Sequence, residues 1–146
     1  MLSTKISNLS YLRTVIAVSA VVLAAGVLAA GPAVAERLSN PVAEFAGLDK
    51  ITGRIISFDV YMDETVQFGA LQVTPRVCYN RTLTETPQTD AFVEVDEITL
   101  ARTVRRIFIG WMFADSPGLH AVDHAVYDVW LTSCKTSSDV APPASR

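Results

Sequence analysis

The sequence predicts a mainly β protein, a small antiparallel β-sandwich or barrel of about six strands that follows a cleaved signal peptide. Three observations support this fold class. The chain of 146 residues begins with an apolar segment that contains no acidic residue before Glu36. From Ile51 onward, apolar and polar side chains alternate with the period of two that strands require. No segment of three helical turns carries a convincing apolar stripe.

The first 35 residues have the order of a secretory signal peptide. Lys5 and Arg13 precede an apolar run over Val15–Ala30, and the small-residue triplet Ala33–Ala35 ends the segment. The apolar run is shorter than the roughly 20 residues that cross a bilayer. We therefore predict export by a Sec-type signal, cleavage after Ala35, a periplasmic location and no transmembrane span after cleavage. Retention of the segment as a membrane anchor is the alternative.

The composition after cleavage argues against a nucleic-acid partner. Without Lys5 and Arg13 the chain keeps ten basic residues against fifteen acidic ones, a formal net charge of −5. Such a chain does not attract polyanions, and it has no basic stripe. No phosphate-binding or dinucleotide-binding motif occurs, so we expect no cofactor.

The predicted elements follow in order. Residues 36–49 form an N-terminal extension in which Pro41–Asp49 has a weak signal for a short helix, and residues 50–135 form the β domain. The stretch GRIISFDVY predicts the first strand, with Ile56, Phe58 and Val60 on one face. The long stretch TVQFGALQVTPRVCY follows, and its alternation places Cys78 on a polar face.

Three further strands and a tail complete the domain. AFVEVDEI alternates, with Val93 and Val95 opposed to Glu94 and Asp96. RRIFIGWMFAD is apolar on both faces, as in a strand that is covered on each side. AVYDVWLTSC is the last strand, and its alternation places Cys134 on the more polar face, with Asp128 and Trp130. Residues 136–146 are small, polar and proline-containing, which predicts a disordered tail.

The two cysteines, Cys78 and Cys134, predict a structural disulfide. Both lie in the exported part of the chain, where an even pair is normally oxidised. A bridge over so long a loop stabilises the fold by roughly 4 kcal/mol in the chain-entropy model. A redox or nucleophilic cysteine is the alternative, but no C-x-x-C motif is present. The bridge requires the ends of the two strands to lie close together.

Aromatic and charged side chains define a candidate interaction patch. Trp111 and Phe113 belong to the strand that is apolar on both faces, so either a loop covers its outer face or a partner does. The alternation also places side chains of the two cysteine-bearing strands near the disulfide. The candidate patch therefore consists of Arg76, Trp111, Phe113, Asp128 and Trp130.

Two further kinds of chemistry have only weak candidates. His120 and His124 are four residues apart and would share one side of a helical turn, but two ligands are too few for a zinc or copper site. We therefore assign no metal site and regard the segment as a surface loop.

Glu94, Asp96 and Asp128 are candidate paired carboxylates for hydrolysis. No nucleophile or metalloprotease motif accompanies them, so we assign no catalytic residue.

A resemblance to a known family runs through most of the mature chain. The stretches LDKITGRIISFDV, FGALQVTPRVCY, FVEVDE, GWMFADSPGL and VYDVWLTSC resemble the exported alphaproteobacterial proteins of domain of unknown function 2155. The similarity covers roughly Glu44 to Cys134, and Ala125 stands where that family has a proline. The resemblance implies a periplasmic or envelope location in a Gram-negative bacterium. It implies no activity, and it supplies no functional residues.

The leading hypothesis from the sequence is a non-catalytic periplasmic β domain that binds another envelope component, either a protein or a glycan. An enzyme is the less favoured class. The alternatives are a small envelope hydrolase that uses paired carboxylates, and a weak metal-binding protein that uses His120 and His124.

Overall fold

The computed structural model describes residues 36–82 and 86–143. The predicted signal peptide at residues 1–35 lies outside the described residues. Within the described part, the regular elements are all strands, and no helix there is long and apolar enough to cross a membrane.

The described residues form two antiparallel sheets, which confirms a mainly β sandwich. The strands are β1 (Arg37–Ser39), β2 (Val42–Asp49), β3 (Arg54–Tyr61), β4 (Val66–Phe68), β5 (Leu71–Arg81), β6 (Thr89–Ile98), β7 (Val104–Phe113) and β8 (Tyr127–Lys135). Sheet A has the order β1-β5-β6-β7, with β4 also paired to β5. Sheet B has the order β3-β2-β8. The described strands number eight rather than about six, because residues 36–49 contain β1 and β2 and the predicted long strand TVQFGALQVTPRVCY is divided into β4 and β5.

The weak helix signal at Pro41–Asp49 is wrong, because this segment is the central strand of sheet B. Strand β2 pairs with β3 on one side and with β8 on the other. Val42, Ala43 and Phe45 are each fully buried there. Ladder hydrogen bonds on both sides and burial decide the conformation, so tertiary context overrides the local sequence signal. The predicted extension at residues 36–49 therefore contributes two strands to the domain.

The core lies between the two sheets and contains a row of aromatic rings. Phe45 and Phe58 of sheet B have ring centroids 5.9 Å apart, and Phe58 lies 5.8 Å from Phe68 of sheet A. Phe68 in turn meets the edge of Tyr127 at 5.6 Å. Val122, only 4% exposed, enters the core from the loop at residues 114–126. This loop connects the edge strands β7 and β8, and its Val122 fills part of the space between the sheets.

The disulfide joins the two sheets. Cys78 on β5 and Cys134 on β8 are bonded, with their Cα atoms 5.7 Å apart. The pairing agrees with the prediction, but both cysteines face the core rather than a polar surface. The reason is that the pairing register shifts between Pro75 and Val77 on β5, and Thr132 is an extra residue on β8. Each bulge reverses the face of the residues that follow it.

The first part of the predicted tail lies against sheet B. The Ser138 hydroxyl donates to Asp59 Oδ2 at 2.6 Å, and the Tyr61 hydroxyl donates to the Val140 carbonyl at 2.8 Å. Asp59 also pairs with Lys135 Nζ at 3.0 Å. The tail thus follows the outer face of sheet B as far as Val140.

Candidate functional site

The outer face of sheet A carries a cluster of partly exposed aromatic side chains. We call Tyr79, Phe92, Trp111 and Phe113 the aromatic patch. Strand pairing explains the cluster, because Phe92 lies opposite Trp111 and Met112 faces the core with 2% exposure. The Trp111 ring lies 6.2 Å from Tyr79 in a stacked arrangement and 5.5 Å from Phe92 edge to face. Each of the four is only partly buried. The patch is a partly exposed aromatic surface on the outer face of sheet A.

A pocket opens beside the aromatic patch. We call it the Asp90 pocket; it has a volume of about 340 Å³ and is lined by Arg37, Arg81, Gln88, Asp90, Trp111 and Phe113. Asp90 lies between Tyr79 on β5 and Phe113 on β7 in the strand register. These neighbours explain why Asp90 is only 5% exposed. Arg37 places its guanidinium 5.7 Å from the centre of the Tyr79 ring.

The other half of the outer face of sheet A carries a series of ion pairs. We call Asp63, Arg76, Glu94, Asp96 and Arg106 the charged ladder. Arg76 bridges Asp63 at 2.8 Å and Glu94 at 2.9 Å. Arg106 bridges Glu94 at 3.0 Å and Asp96 at 2.6 Å. The Arg76 hydrogen bond lowers the pKa of Glu94, and the Arg106 hydrogen bond lowers the pKa of Asp96. Both carboxylates are therefore held in the ionised form.

The ion pairs do not arrange Glu94 and Asp96 as the general acid and the second carboxylate of a hydrolase. Glycoside hydrolysis needs one carboxyl group that stays protonated as the general acid, with a raised pKa. Glu94 and Asp96 have lowered pKa values instead. Asp128 belongs to sheet B, where it pairs with Lys50 at 2.7 Å. The three candidates from the sequence are thus two structural ion-pair partners and one carboxylate on the other sheet.

The interaction patch predicted from sequence is divided between the two sheets. Arg76, Trp111 and Phe113 lie on sheet A, where Arg76 belongs to the charged ladder and the two aromatic residues to the aromatic patch. Asp128 and Trp130 lie on the outer face of sheet B. Trp130 lines a separate pocket of about 270 Å³ with Pro117, Gly118, Ala121, Val122, Asp128 and Val129. Only the sheet A residues belong to the candidate site.

The two histidines lie in the loop at residues 114–126 and not on a helical turn. His120 Nδ1 lies 3.0 Å from the Trp111 carbonyl oxygen, so this nitrogen donates to it. His124 Nδ1 accepts hydrogen bonds from the backbone N–H groups of Val126 and Tyr127, while Nε2 lies 3.5 Å from Glu97 Oε1. Over residues 36–82 and 86–143, no group of three or more His, Cys, Asp or Glu side chains is arranged to hold a metal ion.

Sequence reasoning found Trp111 and Phe113 but missed the residues around them. Tyr79 and Phe92 were assigned to strands without a role, and neither Arg37 nor Asp90 was singled out. The signal that could have found them is pairing register, because Tyr79, Asp90 and Phe113 form one row across β5, β6 and β7. That register depends on the bulge at Arg76, between Pro75 and Val77, which alternation alone does not reveal.

Comparison with known proteins places this domain in a family without an assigned activity. Searches of the curated proteins and of the solved structures return no significant match. The sequence profile of the family described as "Uncharacterized protein conserved in bacteria (DUF2155)" matches residues 43–134. This range begins in β2 and ends at the disulfide cysteine of β8. The chain therefore belongs to the DUF2155 family.

Proposed function

We propose that this protein is a non-catalytic periplasmic β domain that binds another component of the bacterial envelope through the aromatic patch on sheet A. The observation that carries the proposal is the side-chain pattern of β7. Met112 faces the core, whereas Trp111 and Phe113 face outward and remain partly exposed. A strand with only a structural role normally presents polar side chains to water.

The composition of the patch supports binding. Large amphipathic aromatic residues and arginine are the types that dominate interface energetics, and here Arg37 lies over the ring of Tyr79. The exposed Ile109, with 58% of its surface accessible, continues the apolar surface along β7. The patch therefore offers a partner a continuous apolar surface with a cationic rim.

The site also favours binding over catalysis. Catalytic carboxylates usually carry pKa values displaced toward the working pH. On this face the pKa values of Glu94 and Asp96 are displaced in the opposite direction by their arginine partners. These groups stabilise the sheet and leave the aromatic patch as the functional feature of the face.

A pair of tryptophan variants tests the proposal. The exported protein is immobilised and exposed to an extract of its own cell envelope, as wild type, Trp111→Ala and Trp130→Ala. The two variants remove the same side chain from opposite sheets, so Trp130→Ala is the matched control. We expect wild type and Trp130→Ala to retain the same component, and Trp111→Ala to lose about tenfold in affinity, since a central aromatic contributes more than about 1 kcal/mol. Equal retention by both variants, or no retention by any form, would contradict the proposal.

A further inference from the structure

The Asp90 pocket contains a buried carboxylate that has no partner in the described protein. Asp90 is 5% exposed, yet within residues 36–82 and 86–143 its carboxylate forms neither a hydrogen bond nor an ion pair. Every fully enclosed side-chain nitrogen or oxygen in this part of the chain does have a partner. The Asp90 oxygens are therefore not fully enclosed, and they reach solvent through the pocket. A buried acceptor without a protein partner is suited to a ligand that supplies hydrogen-bond donors.

The other charges in the pocket limit what that ligand can be. Arg37 and Asp90 line the pocket with opposite formal charges, and Arg81, which also lines it, is engaged in another interaction. The Arg37 guanidinium disfavours a metal cation or an ammonium group beside Asp90. The buried carboxylate in turn disfavours a phosphate or carboxylate ligand. A purely apolar ligand would leave Asp90 desolvated and unpaired, which is costly.

The remaining class is a neutral ligand with hydroxyl groups on one side and an apolar surface on the other. Hydroxyl groups can donate to Asp90 and also accept from the N–H groups of Arg37 and Gln88. Trp111 and Phe113 supply the apolar wall of the same pocket. A pyranose ring has this combination, because its C–H face packs on aromatic rings while its rim carries hydroxyls. The volume of about 340 Å³ is at the small end for ligand sites, which suits one or two sugar units.

We infer that the Asp90 pocket binds a pyranose unit of a neutral glycan. The inference rests on the proposed function, and it names the class of envelope component that the aromatic patch takes. Asp90 accepts hydrogen bonds from the sugar hydroxyls, Arg37 and Gln88 donate to them, and Trp111 packs on the ring. The rest of the aromatic patch then contacts neighbouring sugar units of the same chain.

Binding measurements on a protein-free glycan preparation test this inference. The exported protein is titrated calorimetrically with chitotetraose, cellotetraose, maltotetraose and protease-treated envelope polysaccharide, and with inorganic phosphate and putrescine as the anion and cation probes. Asp90→Asn removes the anionic acceptor at nearly constant volume, and Asp128→Asn on sheet B is its matched control. We expect at least one saccharide to bind, a loss of about tenfold or more in Asp90→Asn, and no change in Asp128→Asn. The thermal midpoint of Asp90→Asn should stay the same or rise, because no protein hydrogen bond is lost.

The outcomes separate this inference from the proposed function. Failure of every saccharide preparation, stronger binding of phosphate or putrescine, or full saccharide affinity in Asp90→Asn would each overturn the inference. An envelope protein fraction is tested in parallel with wild type and Trp111→Ala. Binding of a protein that depends on Trp111 would preserve the proposed function while excluding the glycan. Absence of Trp111-dependent binding in both fractions would reject both.

Discussion

At the scale of single residues, Gly47 shows how closely the two sheets approach each other. A Cβ atom at this position would lie 2.7 Å from the ring of Phe68, which is a core residue of the opposite sheet. The backbone of Gly47 is ordinary β-strand, so the requirement for glycine is one of space and not of conformation.

We expect Gly47→Ala to lower the free energy of unfolding by about 1–2 kcal/mol. Overpacking costs about 1–3 kcal/mol, and the reduced freedom of the unfolded chain offsets part of it. Gly118→Ala is the control, because a Cβ atom there meets nothing within 4 Å. Denaturant unfolding of both variants provides the measurement. A Gly47→Ala protein as stable as wild type would mean that the sheets pack less tightly at this point.

At the scale of elements, the charged ladder ties β5, β6 and β7 together in a way that depends on pH. The folded protein lowers the pKa values of Glu94 and Asp96 below their ordinary values of 4.5 and 3.8. A lowered folded-state pKa means that the unfolded chain binds protons more readily. The ladder therefore contributes its full stability above about pH 5 and loses it as the pH falls through the folded pKa values.

Arg106→Gln tests this contribution. The variant removes the partner of Asp96 and one partner of Glu94, so we expect a loss of up to about 1 kcal/mol at pH 7, as for partly exposed pairs. The difference from wild type should shrink as the pH is lowered from 5 to 3, because both carboxylates become protonated. Urea unfolding at several pH values measures it. A difference that stays constant or grows toward acid pH would show that Arg106 acts by packing alone.

The elements also show how far the sequence predicts this fold. Period-two alternation predicted the inner face of β3 at Phe58 and Val60, and of β6 at Val93 and Val95, because these strands have no irregularity at those residues. It assigned Cys78 to the wrong face, since a bulge adds one residue and reverses every later side chain. A helix signal misassigned β2, whose conformation depends on partners distant in sequence.

The candidate site was predicted in part for the same reason. The excess of apolar residues on both faces of β7 pointed to Trp111 and Phe113 from the sequence alone. Asp90 could not be recognised, because its burial comes from Tyr79 on one neighbouring strand and Phe113 on the other. Such a site can be recognised only when the pairing register of β5, β6 and β7 is known.

At the scale of the whole molecule, the disulfide adds a side-chain cross-link between the two sheets to the backbone connections. Cys78 and Cys134 are 56 residues apart in sequence and lie in different sheets. Closure of a loop of this length restricts the unfolded chain, which corresponds to about 4 kcal/mol in the entropy model. This is a large share of the roughly 5–15 kcal/mol by which a domain is usually stable.

We expect the double variant Cys78→Ala/Cys134→Ala to fold with a free energy of unfolding lower by about 2–4 kcal/mol. Both cysteines are buried, so alanine retains an apolar residue at each position. Denaturant unfolding of the variant and of wild type, each with and without reductant, provides the measurement. Reductant should destabilise wild type and leave the variant unchanged. A wild-type protein that is equally stable in reductant would contradict the role of the bridge.

The proposed function requires that a partner binds to the outer face of sheet A and not to that of sheet B. The chain has two tryptophans, one on each outer face, so each sheet has its own indole N–H reporter. The most direct measurement is a two-dimensional NMR spectrum of the labelled protein that begins at Glu36, recorded with and without unlabelled extract of the bacterial cell envelope. Binding at the aromatic patch predicts that the Trp111 indole resonance shifts or broadens while that of Trp130 stays in place. A shift of Trp130 alone, or no change at either indole, would contradict this account.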